Sequence, residues 1–160
     1  MANDFGAAGD ELDLSNSATQ VFVEVLTLAV SALAGREWEY RFAALLALQD
    51  QNVMGRGAVG FDLAELDWGD SAEERGAAKD FVLRVVGLAA RRHRWDDLGY
   101  APPYAEACLR RFHEIVERFD PAGARPAGDV LPVEGCGACC VRHRVLSALP
   151  FWDGCVFCHR

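Results

Sequence analysis

The amino-acid sequence predicts a mainly α fold, in which a small antiparallel bundle of about four helices is followed by a short cysteine-rich tail. Apolar residues recur at three- and four-residue spacing in long stretches, which is the periodicity of an amphipathic helix. Two of these stretches follow capping-box patterns, and no strand–helix–strand alternation is visible. Because 51% of the 160 residues are apolar, the chain can form a proper core.

Capping boxes mark the starts of the first and third helices, at Ser17-Ala-Thr-Gln20 and Ser71-Ala-Glu-Glu74. The glycines at 55, 57 and 60 end the second helix and match G-x-G-x-x-G. No predicted strand precedes them, so a flexible loop explains these glycines better than a dinucleotide site. The four helices are predicted at about 17–34, 37–54, 71–93 and 103–119.

The composition divides the chain into four predicted parts. A flexible acidic N-terminus, the helical bundle, a linker rich in proline and glycine, and a metal-binding tail are expected at 1–15, 16–120, 121–135 and 136–160. Chains below ~40 residues seldom fold without a metal or disulfides. We therefore expect the bundle to fold by itself and the tail to need a metal.

The tail holds two C-x-x-C pairs, Cys136 with Cys139 and Cys155 with Cys158. A C-x-x-C turn directs two thiolates at one point, and two such turns supply the four ligands of a structural zinc ion. The first pair has an alternative, because Cys140-Val-Arg-His143 is a C-x-x-H turn at a workable distance from Cys155. Both arrangements predict one closed site for a structural Zn²⁺ ion.

Residues 136–160 resemble a zinc ribbon, a small β-hairpin held by zinc at two knuckles. The resemblance lies in the paired turns, the partly alternating stretch Val141 to Leu146 between them, and the turn signal Asp153-Gly154. It implies a C-terminal zinc-ribbon hairpin and does not extend to the helical part. Zinc ribbons occur in proteins of many functions, so the module selects none.

Disulfides are the main rival explanation of the cysteines, and they require an oxidising compartment. The first basic residue is Arg36, so the start of the chain lacks the charge pattern of a secretory signal. The apolar stretch 21–34 contains Glu24 and is shorter than the ~20 residues that span a bilayer. We therefore expect a cytoplasmic protein with reduced thiols and no membrane partner.

The net charge of −8 is uneven, with +2 in residues 136–160 and −10 in the remainder. An acidic body repels phosphate backbones and disfavours nucleic acid. No set of residues suggests catalysis, so we expect a non-enzymatic zinc protein that binds another protein, of the inhibitor, immunity or adaptor type. The alternative is nucleic-acid binding or transcription regulation by the basic residues Arg91, Arg92, Arg94, Arg142, Arg144 and Arg160.

Surface charge distinguishes the two hypotheses. If the 91–94 cluster and the arginines of the tail share one face, nucleic acid gains support. If acidic side chains interrupt them, a protein partner is favoured.

Overall fold

A computed structural model describes residues 3–7, 9–54 and 59–159 of the chain. Within these ranges the protein is mainly α, with five helices and two small sheets. Most of the predicted glycine loop (residues 55–58) and Arg160 lie outside the described residues. The elements are β1 Asn3–Ala7, β2 Asp10–Leu14, α1 Asn16–Leu33, α2 Glu37–Leu48, α3 Gln51–Met54, β3 Gly60–Asp62, α4 Ala72–Ala90, α5 Ala105–Arg118, β4 Cys136–Cys139 and β5 Leu146–Ala148.

Helix α1 is the central element of the fold and packs against α2, α4 and α5. Every residue in the range 21–30 is buried, so α1 is covered on all sides rather than along one stripe. The predicted capping box at Ser17 is wrong, because Ser17 lies inside α1 and the N-cap is Ser15, whose hydroxyl accepts a hydrogen bond from the Ala18 amide. The predicted capping box of α4 is confirmed, because the side chains of Ser71 and Glu74 each accept from the other residue's amide.

By length and apolar composition α1 could also cross a membrane, but 61% of it is buried within the protein. Its buried residue Glu24 accepts hydrogen bonds from the Gln20 side chain and the Tyr100 hydroxyl. This helix therefore has the environment of a core helix.

Residues 3–7 and 9–15 differ from the loose N-terminal tail that we expected. Strands β1 and β2 pair antiparallel, from Asn3 opposite Leu14 to Ala7 opposite Asp10, and β3 adds to β1 in parallel. Phe5 is fully buried, and its ring lies 5.2 Å from that of Phe22 on α1. Alternating acidic and apolar residues in β2 put apolar side chains on one face, and this face packs against the helices.

The segment 121–135 runs along the body of the protein. The amides of Arg125 and Ala127 donate to the carbonyl oxygens of Ala64 and Glu65, at 2.7 and 2.9 Å. Arg41 on α2 donates from Nε to the carbonyl of Pro132 at 2.7 Å. These contacts carry the chain across the molecule to the start of β4.

The C-terminal residues contribute to the same core as the helices. Strands β4 and β5 form an antiparallel hairpin that contacts α2. The Leu146 amide donates to the Ser31 hydroxyl of α1 at 2.9 Å. The buried C-terminal side chains in the common core are Val145, Leu146, Ala148, Leu149, Cys155 and Val156.

We predict that Gly135→Ala destabilises the protein, because a Cβ atom at residue 135 would clash with the backbone carbonyl of Tyr40 on α2. Backbone must move to relieve this clash, at a cost of about 1–3 kcal/mol. Thermal unfolding followed by circular dichroism measures the loss. The matched control is Gly128→Ala, where no atom lies within 4 Å of the added Cβ. Equal melting temperatures for the two variants would contradict this packing.

Candidate metal centre

Four potential metal ligands converge in the C-terminal segment: Cys140, His143, Cys155 and Cys158. One ligand atom from each residue lies within 4.8 Å of all the others. Cys155 is buried, Cys158 is exposed, and Cys140 and His143 are partly buried. The group is therefore anchored on its inner side and open to solvent on its outer side.

The first pair of ligands lies on the turn that joins β4 to β5. The Cys140 amide donates to the Val145 carbonyl, and the Arg144 amide donates back to the Cys140 carbonyl, both at 2.7 Å. Arg144 has a φ angle of 55°, in the left-handed region. The tight turn brings the Cys140 sulfur to 3.7 Å from Nδ1 of His143.

The second pair lies at a short 3₁₀ segment, Val156–His159, which Cys155 directly precedes and which contains Cys158. Gly154, which precedes it, has a φ angle of 83° and allows the chain to reverse. The Cys158 amide donates to the Cys155 carbonyl at 2.9 Å, which closes the turn and places the two sulfurs 3.8 Å apart.

Contacts between the two turns complete the group. Nδ1 of His143 lies 3.4 Å from the sulfur of Cys155 and 3.4 Å from that of Cys158. The sulfurs of Cys140 and Cys158 are 3.7 Å apart. Soft sulfur atoms and an imidazole nitrogen form a donor set that suits a transition-metal ion. The four residues are consistent with a single metal site.

The thiols of this group differ in acidity. The backbone N–H of His143 is the main cause that lowers the pKa of Cys140 to about 6, whereas burial raises the pKa of Cys155 to about 12. A metal ion binds thiolates, so its binding must displace the proton of Cys155.

The other predicted pair, Cys136 and Cys139, lies in a different setting. We expected a turn here, but these residues begin and end strand β4, opposite Ala148 and Leu146 of β5. The pairing is irregular between them, because three residue steps on β4 lie opposite two on β5, as at a β-bulge. Neither cysteine belongs to the converged group. All six cysteines of the chain are free.

Arg94 joins the first turn to the helical body. Its guanidinium donates to the carbonyl oxygens of His143 and Arg144, both at 2.8 Å, and pairs with Asp97 at 2.7 Å. Arg94 thus fixes the backbone carbonyl of the candidate ligand His143 and that of the next residue, Arg144. The His143 ring also lies 6.0 Å from the ring of Phe157, a residue that stands between Cys155 and Cys158 in the sequence.

The basic residues predicted as a nucleic-acid surface are only partly brought together. Arg94 contacts the first turn, where Arg142 and Arg144 lie, and Asp97 also pairs with Arg144 at 3.5 Å. Arg92 instead pairs with Glu106 of α5 and lies over the ring of Trp95. Acidic side chains therefore lie between the basic ones. Arg91 is exposed, near the C-terminus of α4.

Comparisons of the chain with protein-family models, with curated proteins and with solved structures find no match.

We predict that Cys140→Ser, His143→Ala, Cys155→Ser and Cys158→Ser each abolish stoichiometric metal binding, because each removes one converged ligand. Cys136→Ser and Cys139→Ser are the matched controls and should retain the metal. Native mass spectrometry of each purified variant gives the metal content directly. Loss of the metal in Cys136→Ser and Cys139→Ser but not in Cys140→Ser would restore the all-cysteine arrangement.

Proposed function

We propose that this protein is a non-enzymatic interaction protein whose C-terminal segment is built around one structural zinc ion. The observation that carries the proposal is the convergence of Cys140, His143, Cys155 and Cys158 on two tight turns. The proposal also includes an antiparallel arrangement of the helical bundle, a zinc ribbon at the C-terminus and a cytoplasmic location.

Distances between the ligand atoms support zinc. A tetrahedral ion with Zn–S bonds of ~2.3 Å and a Zn–N bond of ~2.05 Å separates two sulfurs by about 3.8 Å and a sulfur and a nitrogen by about 3.6 Å. The sulfur pairs of Cys158 with Cys140 and with Cys155 measure 3.7 and 3.8 Å. The sulfur–nitrogen distances of 3.4 to 3.7 Å agree as well.

The ligand set favours a structural role over a catalytic one. Three thiolates and one imidazole fill the four positions that zinc takes, which leaves none for water or substrate. Such a site stabilises the segment that supplies the ligands, since metal binding there contributes folding free energy. Helix packing and metal binding together would present a fixed surface.

The charge pattern favours a protein as the partner. Glu106 and Asp97 interrupt the basic residues by pairing with Arg92, Arg94 and Arg144. A nucleic-acid surface instead tends to present its cations to the phosphates. The exposed Val141 and Phe151, 94% and 72% accessible, also lie in the C-terminal segment and would bind an apolar part of a protein.

Nucleic-acid binding remains the second candidate because one contact favours it. Arg94 donates to the turn that carries Arg142 and Arg144, so part of the 91–94 cluster adjoins the arginines of the tail. The overall charge of −8 opposes this function.

A pull-down with the tagged full chain separates the two candidates. The zinc-loaded protein is used as bait in native lysate, with and without nuclease, and the captured proteins are identified by mass spectrometry. A protein that is retained after nuclease treatment, and lost with the Cys158→Ser bait, is the expected result. Capture that nuclease abolishes would favour the nucleic-acid function.

We also predict that a strong chelator lowers the melting temperature of the helices and does not merely unfold the tail. Buried residues of the C-terminal segment, such as Val145 and Leu149, pack in the common core. A loss of 2 kcal/mol lowers the melting temperature of a chain of this size by about 4–8 °C. Hydrogen exchange should show that amides in the 140–158 range lose protection first. An unchanged melting temperature would mean that the tail is independent of the helices.

A further inference from the structure

A small recess adjoins the metal centre and opens beside the first turn. Its volume is about 190 Å³, and its apolar lining comes from Leu28 of α1 and from Phe157. Sites for whole small molecules usually measure ~300–1,000 Å³, so this recess suits a single side chain better. Three arginines line it, Arg94, Arg142 and Arg144.

The three arginines are not equally available to a partner. Arg94 uses its donors on two carbonyl oxygens and on Asp97. The side chain of Arg144 is 72% exposed and forms an ion pair with Asp97, in which Nη2 lies 3.5 Å from the carboxylate. Arg142 is exposed and makes no hydrogen bond or ion pair with any residue that the structure describes. Arg142 is therefore unpaired among the described residues, and Arg144 keeps donors that its ion pair with Asp97 does not use.

Asp97 does not cancel the positive charge of the recess. It is the one acidic residue among the lining residues, and its hydrogen bond with Arg94 holds its pKa below the usual value. It is thus ionised, and it pairs with Arg94 at 2.7 Å and more loosely with Arg144 at 3.5 Å. The net charge of the lining is +2, in a protein whose total charge is −8.

From these observations we propose that the recess binds a carboxylate side chain of an acidic peptide segment in the partner protein, through Arg142 and Arg144. Guanidinium and carboxylate groups form short, charge-assisted and often bidentate hydrogen bonds. The exposed Val141 precedes Arg142 in the same turn and would contact an apolar residue next to the carboxylate. The inference rests on the proposed function. The proposed zinc ion would fix His143, and Arg142 and Arg144 are its two neighbours in the chain.

The number of free arginines favours an acidic peptide over a nucleic acid. Proteins that bind duplex DNA through its backbone contact on the order of six to ten phosphates. Here Arg142 is unpaired among the described residues, Arg144 is engaged by Asp97 through one nitrogen only, and Arg92 is engaged by Glu106. Two charges suffice for one or two carboxylates but not for a continuous polyanion that the acidic body repels.

Fluorescence anisotropy with the zinc-loaded full chain tests the proposal. The probe is a short labelled peptide of glutamates that flank one leucine, and the same peptide with glutamines and a labelled single-stranded oligonucleotide of equal charge serve as comparisons. The double variant Arg142→Gln/Arg144→Gln should weaken binding of the acidic probe by about tenfold or more, as expected when two charge-assisted hydrogen-bond donors are lost.

The matched control is Arg110→Gln/Arg125→Gln, which removes the same charge from exposed arginines outside the recess. It should change the affinity by less than about twofold, as remote surface charges usually do. The Cys158→Ser variant should also lose binding, because it removes the metal. The zinc content of every sample is measured by native mass spectrometry.

Three results would overturn the proposal: no saturable binding of the acidic peptide, equal losses in the two double variants, or tighter binding of the oligonucleotide. If zinc is bound in those samples, the proposed function survives and only the acidic-peptide site fails. If the wild-type chain binds no zinc, the proposed function fails and this inference fails with it.

Discussion

The C-terminal segment depends on one constraint, that two tight turns far apart in the chain meet at a single point. Cys140 and His143 come from one turn, and Cys155 and Cys158 come from the other. Hydrogen bonds within each turn set the spacing of its own pair. They do not bring the pairs together, which requires the β4–β5 hairpin and the helical surface beneath it. A metal ion would then join the two turns by direct bonds, so the site both requires the fold and stabilises it.

The helical body contributes to this centre at several positions. Arg94 binds the carbonyl oxygens at the first turn, and Ser31 of α1 accepts a hydrogen bond from β5. Burial of Cys155 in the common core holds one ligand in a fixed place and raises its thiol pKa to about 12. Unfolding of the hairpin would expose the apolar residues around it. The metal centre and the helices therefore share one hydrophobic core, although the sequence places the centre at the end of the chain.

Charge is arranged on two scales in this protein. The whole molecule is acidic, while the recess beside the metal centre is basic. Pairing of Arg92 with Glu106 and of Arg94 with Asp97 limits the basic surface to a small area. A small basic area on an acidic protein is attractive to a compact acidic group, while the long-range field opposes an extended polyanion.

The sequence by itself determined the four long helices, since apolar spacing and capping residues such as Ser71 and Glu74 act locally. It also predicted cysteine and histidine as candidate ligands and Cys155 with Cys158 as one pair, and these two cysteines belong to the converged group. Alternation in 10–14 was a signal for β2, but the strand needed β1 and the helices to pack against.

Only the tertiary structure shows which residues converge with Cys155 and Cys158, namely Cys140 and His143. Cys136 with Cys139 and Cys140 with His143 have the same spacing in the sequence, so local rules favour neither. Cys136 and Cys139 pair with β5 as part of strand β4, whereas Cys140 and His143 lie on the tight turn that follows it. The sequence likewise did not predict the ion pairs of the arginines. Glu106 pairs with Arg92, and Asp97 with Arg144, because packing brings distant segments together. Local hydrogen bonding specifies helices and turns, whereas strand pairing and packing depend on the whole chain.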